Sequence, residues 1–308
     1  MKSFKIVFIV TLCIIIFVLT IKLLKKYKIE IYDLDENNFV VLSNRAYYYN
    51  LLKYGIDYHI KLNEEEWSSY FALNFFLVNE DVGCLVFYNT IYLRNFVKEQ
   101  VIRKILVEKV SFAKNINEQL DMIIFSGGNL YQYNFKTDKL TKLKHLTTLD
   151  PSNHSIYYPS RYIHPNKIAY SQNRNSVFYS AYIDSETRDC GVYEMSLADY
   201  SVALRGEGFC PQIDDEKNSL YYINDKQDSI IKLNFDTLTK EVLLSYPHAI
   251  RDFKVIDKET IFFIHAEKRA NIKDVKFDRI KIYIDGKVKY IRTKGIIYGS
   301  PFDVIRIK

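Results

Sequence analysis

From residue 121 to the C-terminus, short apolar runs alternate with polar turns in a rhythm that repeats. The stretch Leu220 to Leu244, LYYINDKQDSIIKLNFDTLTKEVLL, shows it best: an aromatic strand, a polar turn, then a hairpin with Asp236 and Thr237 near its tip. Period-two alternation bounded by Asn, Asp and Ser marks strands joined by tight turns. Related strings begin at Leu130 (LYQYNFKTDKLTKL), Val192 (VYEMSLADYSVAL) and Ile280 (IKIYIDGKVKYI). The hairpins start at Leu130, Val192, Ile231 and Ile280, spaced by 62, 39 and 49 residues. A self-similar hairpin recurring every ~40–50 residues is the mark of a propeller blade. The longest spacing fits if Leu149 to Arg161, a loop with two prolines, is an insertion.

Between the hairpins the pattern predicts short strands at Met122–Phe125, Ile168–Ser171, Val177–Ile183, Phe253–Val255, Thr260–His265 and Phe302–Ile307. The N-terminal part is less regular. Lys28 to Ser43 reads as two short strands around a turn at residues 35–38, Tyr47-Tyr48-Tyr49 as the start of an irregular stretch, and Ile56 to Leu62 as alternating again. Glu64-Glu65-Glu66 before Trp67 suits the start of a short helix, where carboxylates are favoured. Strands are expected at Tyr70–Val78 and Gly83–Tyr88. Phe96 to Val110 fits two patterns: a helix with Val97, Val101, Ile102, Ile105 and Leu106 on one face, or a hairpin from Gln100 to Phe112. About 100 residues lie between Leu24 and Leu130, room for two irregular blades at the usual repeat length. With four blades from Asp121 onward the expected fold is all-β, a propeller with six blades favoured and five or seven open.

Ahead of these strands lies Ile6 to Leu24, 19 residues with one charge, Lys22. That matches the ~20 residues a transmembrane helix needs. No small-residue cleavage site follows, so the segment reads as an uncleaved anchor rather than a signal peptide. The chain thus divides into a tail (1–5), an anchor (6–24) and a propeller domain (25–308). Lysines after the anchor (Lys22, Lys25, Lys26, Lys28) outnumber Lys2 and Lys5 before it, which by the positive-inside rule leaves the domain in the cytoplasm. The K-x-x-K start before a long apolar run argues the reverse, and the outer side is the expectation adopted.

Composition narrows function mainly by exclusion. With 26 Tyr, 20 Phe and only 10 Gly and 6 Pro, the chain is strand-rich and turns must use Asn and Asp. The net charge of +6 is scattered along alternating strands, not clustered with aromatics on one element as nucleic-acid binding requires. None of the six histidines stands in an H-E-x-x-H or H-x-H context, and neither a G-x-S-x-G elbow nor a phosphate loop occurs, so no cofactor or metal is expected. Glu64-Glu65-Glu66 and Asp214-Asp215-Glu216 carry enough carboxylate for a hard cation, yet read more simply as a helix start and a turn. Cys13 lies in the anchor and Cys84 in an apolar run. Cys190 and Cys210 flank a hairpin; bridged, they would close a ~20-residue loop worth roughly 3 kcal/mol. The loop His154 to His164 is the best ligand-contact candidate. Its Tyr157, Tyr158, Arg161, Tyr162 and His164 combine flat amphipathic rings with hydrogen-bond donors, as recognition surfaces do.

Leu220-Tyr221-Tyr222-Ile223-Asn224-Asp225, with Ile230 to Asp236 after it, resembles the YWTD repeats of low-density lipoprotein receptor type propellers and the TolB-like six-bladed propellers of bacterial envelopes. Tyr222 stands for the motif's Trp, Ile223 for its Thr, and Asp225 sits one place late. Ser176 to Tyr179 and Thr260 to Phe263 are further copies, and the resemblance spans Asp121 to Lys294. It implies a rigid scaffold whose loops and axial funnel present a binding surface. The expected function is a membrane-anchored, non-catalytic recognition module for a protein or glycan partner in the cell envelope. The alternatives are an envelope hydrolase or lyase acting on glycans or peptides with acids and histidines gathered at the axis, and a structural subunit of a secretion or surface-polysaccharide assembly.

Overall fold

The computed structural model describes residues 31–33, 39–45, 48–53, 56–60, 74–87, 89–117, 119–126, 129–145, 168–182, 190–265, 280–292 and 302–306. The anchor, the tyrosine-rich loop at 154–164 and the acidic run at 64–66 lie outside them. No helix among the described residues is long and apolar enough to cross a membrane. All their regular structure is strand.

In chain order, β1 (Ile31–Asp33) is followed by β2 (Phe39–Arg45), β3 (Tyr48–Lys53) and β4 (Ile56–Ile60). Next come β5 (Asn74–Leu77), β6 (Val82–Phe87), β7 (Thr90–Asn95) and β8 (Gln100–Leu106), which form one antiparallel meander. A second meander holds β9 (Val110–Asn115), β10 (Met122–Ser126), β11 (Asn129–Asn134) and β12 (Lys139–His145). The third begins with β13 (Ala169–Ser171), β14 (Ser176–Tyr182), β15 (Cys190–Ser196) and the long β16 (Val202–Asp214). β16 continues into β17 (Ser219–Asn224), β18 (Ser229–Asn234) and β19 (Lys240–Ser245) in the same hydrogen-bonded sheet. The last meander is β20 (Ile250–Val255), β21 (Ile261–His265), β22 (Lys281–Ile284) and β23 (Lys287–Arg292). β24 (Phe302–Arg306) then pairs antiparallel with β2, so the two ends of the domain share one sheet, ordered β24-β2-β3-β4.

Burial explains why the strands read as they do. Second strands of the meanders are mainly apolar: β6, β10 and β21 are buried at every position. Such a strand has another sheet against each face, so neither face can be polar. The outermost strands are different. β8 alternates exposed and half-buried residues, and β12 and β19 are largely solvated. The apolar clusters lie between sheets. Phe76, Leu93 and Val86 pack on Met122, Ile124 and Tyr133, and Phe125 and Leu130 on Val177 and Tyr179. Phe178 meets Leu220 and Tyr222, while Tyr221 and Ile223 meet Phe253 and Phe263. Phe262 and Ile282 pack on Val41 and Val304, and Val40 and Leu42 on Phe75 and Leu85, which brings the packing back to its start. Sheets stacked face to face around a ring make a β-propeller.

β16 changes role at a bulge. The pairing with β17 shifts register between Phe209 and Gln212, at Gly208 (φ +144°) and Cys210 (φ 57°). A Cβ on Gly208 would stand 2.0 Å from the Ile223 carbonyl oxygen, so only glycine fits.

The hairpins expected at Leu130, Val192, Ile231 and Ile280 all form. Three local readings change. Tyr48 and Tyr49 are not irregular but open β3, as suits a good strand former. The strands either side of residues 35–38 do not pair with each other, because β1 joins the edge of β23 in parallel and β2 joins β24. Phe96 to Val110 is neither helix nor hairpin. β8 and β9 are strands belonging to different sheets, and the turn between them is a blade-to-blade connection.

Candidate functional site

Where the innermost strands meet, a cavity of about 130 Å³ opens at the propeller axis. Its walls draw on β5 (Phe75, Phe76), β9 (Phe112, Lys114), the start of β13 (Ala169, Tyr170), β16 (Gln212), β20 (Lys254) and β24 (Phe302, Asp303). Each of these inner strands contributes one or two of the named residues to the lining.

Asp303 is the centre of the polar network. Its carboxylate accepts the Leu77 N–H of β5 at 2.8 Å and its own neighbour's N–H, from Val304, at 3.0 Å. Lys254 of β20 closes an ion pair with it at 2.8 Å. Burial alone would raise the carboxyl, but the charges of Lys254 and Lys114 and these hydrogen bonds outweigh it and hold it at about 2. Asp303 therefore stays ionised and ties three inner strands together. Gln212 does the same next door, donating from Nε2 to the Val255 carbonyl at 2.7 Å and accepting the Val255 N–H at 3.0 Å. Lys114 lies over the Phe76 ring with its Nζ 4.9 Å from the centroid, an arrangement that favours a cation.

This cavity has one carboxylate and no histidine among its described lining residues. The acid pair or His–acid pair that glycan or peptide cleavage calls for is not assembled there. A second polar cluster runs from the buried Lys281 and His265 to the exposed His248. Lys281, 1% exposed, donates to the Tyr246 hydroxyl at 3.0 Å and touches His265 Nε2, while the His248 and His265 rings stack at 5.3 Å. Among the described residues no group of three or more His, Cys, Asp or Glu side chains is placed to hold a metal ion.

The sequence-level candidates fall as follows. Tyr157, Tyr158, Arg161, Tyr162 and His164 lie outside the described residues. Cys190 and Cys210 belong to one apolar cluster and are both buried thiols, not a bridge, in this structure. Asp214 to Glu216 form the β16–β17 corner, not a cation cradle. Asp214 pairs with Lys217 at 2.9 Å, and Asp215 accepts from the Ser171 hydroxyl and, at 2.8 Å, from the Gln172 N–H at the end of β13. Lys114, Gln212, Lys254 and Asp303 were not singled out from the sequence. Their local trace is no more than polar residues mixed with apolar ones on an inner strand, as in VSFAKN and FDVIR.

No protein-family model matches the chain, and no curated protein sequence does either. Solved structures do match. The nidogen–laminin complex superposes with a TM-score of 0.54 at 8% identity, covering 86% of this chain and 98% of that one. TolB from Acinetobacter baumannii gives 0.51 at 10% identity over 84% and 70%. The extracellular domain of a B. thetaiotaomicron protein gives 0.50 at 10% identity, with 88% of this chain but only 36% of that one. Together with the ring of stacked sheets, these likenesses identify the fold of the chain as a β-propeller, similar to that of TolB.

Proposed function

We propose that this chain is a six-bladed propeller, tethered to a membrane by residues 6–24, that acts as a non-catalytic recognition module on the outer side of that membrane. The blade count is supported by β16: divided at its bulge, it closes one group of four strands and opens the next, giving six groups in all. Six apolar clusters, one between each neighbouring pair, fit the same count. The outer location is supported by the lysine-flanked apolar start and by the likeness to an extracellular domain.

The observation that carries the reading is the axial cavity, to which β5, β9, β13, β16, β20 and β24 all contribute. A rigid rim around a partly polar, Phe-walled hollow is a docking site for a protruding side chain of a protein partner. The nidogen structure, a complex with laminin, is a protein-bound relative of this fold. We include the loop at 154–164 in the proposed binding surface on its composition alone.

Photo-crosslinking tests this. With p-benzoylphenylalanine at Tyr170, on the cavity wall, irradiation of intact cells is expected to trap a discrete protein adduct. The same label at Val242, exposed on the outer strand β19, is expected to give none. Adducts from Val242 alone would refute axial docking.

A further inference from the structure

We infer that the chain has a second binding site, for a small organic cation with an alkyl body, in the groove between β16 and the face of β17–β19. The ammonium lies between the Glu207 carboxylate and the Tyr222 hydroxyl. This groove shares no lining residue with the axial cavity, so it stands independently of axial docking.

The groove follows from the course of β16. Leu204, Gly206 and Glu207 pair with β15, and the strand reaches β17 only at Gly208, opposite Asn224. Before the bulge it therefore diverges from β17, and a wedge of about 470 Å³ opens between them, inside the ~300–1,000 Å³ typical of small-molecule sites. Its floor is a row of cross-strand neighbours on one face: Tyr222, Ile231 and Val242. Tyr222 is buried, Ile231 half-buried and Val242 exposed, and an exposed Leu204 lines the groove as well. An alkyl chain laid along Ile231 and Val242 covers apolar surface that the fold leaves in water.

Tyr222 supplies the polar end. Its ring packs with Phe178 and Leu220 and the residue is only 2% exposed, yet its hydroxyl makes no hydrogen bond among the described residues. A buried tyrosine hydroxyl normally has a partner. This one stands beside Gly206, where a Cβ would come within 2.5 Å of it; glycine leaves it open to the groove. Burial, and after it the Glu207 charge, push the hydroxyl up, so it is neutral at physiological pH. A hydroxyl lone pair next to a carboxylate calls for a donor. An ammonium has three donors and no acceptor and can bond both, whereas Glu207 repels an anion from the same place.

Charge favours the same sign. Glu207, Asp225 and Glu241 line the groove against Arg205 and Lys240. The three carboxylates form no ion pair among the described residues, while Arg205 commits its Nε–H to Glu194 at 2.7 Å. Including Glu194 and the Arg174 that shares it leaves four carboxylates against three cations. A cation is attracted, and charge-assisted hydrogen bonds are the stronger kind.

The test uses the full chain in detergent and saturation-transfer NMR titrations of n-butylamine, n-butanol and butyrate, which are alike in size and differ in charge. n-Butylamine is expected to bind at least tenfold more tightly than either of the others. Glu207→Gln is expected to weaken it at least tenfold and Tyr222→Phe at least threefold, while Lys240→Gln leaves it no weaker. Circular dichroism checks that the variants are folded, and the three-ligand comparison on the unmodified chain decides the matter if one is not. No binding of n-butylamine, equal binding of n-butanol or butyrate, or binding unaffected by Glu207→Gln or by Tyr222→Phe would overturn the inference. Binding of a Lys/Ser decapeptide without binding of n-butylamine would overturn the small-molecule source.

Discussion

Asp303→Asn is the perturbation whose consequence can be worked furthest. The substitution keeps the size of the side chain, removes its charge, and leaves Lys254, only 22% exposed, facing a neutral amide. A carboxyl held at about 2 instead of 3.8 contributes about 2 kcal/mol at neutral pH. Breaking a fully buried pair costs ~3–5 kcal/mol; Lys254 can reach some water, so about 2–3 kcal/mol is expected here. The direction with pH follows from the sign of the shift. Because the folded-state value is depressed, the stabilisation is complete above the unfolded value near 3.8 and disappears as pH falls through about 2. At pH 3 about half of the pH-dependent part is gone. Urea unfolding of both chains in the same detergent, followed by circular dichroism at pH 7 and pH 3, measures this. A gap below ~0.5 kcal/mol at pH 7, the size of an ordinary surface change, would refute the reasoning. So would a gap that does not shrink at pH 3.

Other expectations follow from the same structure. Glu194 is 5% exposed. Its carboxylate, which burial would raise, is held below the usual range by hydrogen bonds from Arg174 and Ser176 and by the charges of Arg174 and Arg205. Glu194→Gln should cost about 2 kcal/mol at pH 7 by urea unfolding, and loosen the Arg174 guanidinium from the Phe235 ring it covers at 4.1 Å; an unchanged midpoint would count against it. Gly208→Ala should destabilise by more than ~2 kcal/mol, since its Cβ has no room beside Ile223 and its φ is unfavourable. Burial pushes the Cys84 thiol well up, more than Lys114 lowers it, so iodoacetamide at pH 8 should leave Cys84 unmodified until urea unfolds the chain; mass spectrometry of the labelled peptide shows which.

The parts of the fold written in local pattern were legible. Met122–Phe125 and Leu220–Ile223 announce themselves as buried strands because a sheet lies on each side of them, and the hairpins carry their own turn residues. The closure was not. Nothing in Phe302 to Arg306 indicates that its partner is β2, some 260 residues away in the chain, since ladder pairing is a property of two distant segments. The parallel docking of β1 on β23 is hidden for the same reason. The site was less legible still. Lys114, Lys254 and Asp303 come from separate sheets, and each alone looks like an ordinary polar residue in a short strand. Only the ring geometry brings them to one cavity, whereas the tyrosine-rich loop drew notice through composition alone.

All of the axial geometry depends on β24 closing the ring, and disulfide trapping tests that most directly. Val41 of β2 and Val304 of β24 are cross-strand partners, close enough for a bridge across an antiparallel pair. Val41→Cys and Val304→Cys are combined in a chain whose native cysteines are replaced by alanine, and the purified full chain is oxidised. The expected result is an intramolecular bridge, seen as a faster-migrating band that reverts on reduction, with neither single variant showing it. Absence of that band in folded protein would mean that β24 does not pair with β2, and that Asp303 and Lys254 do not meet at a common axis.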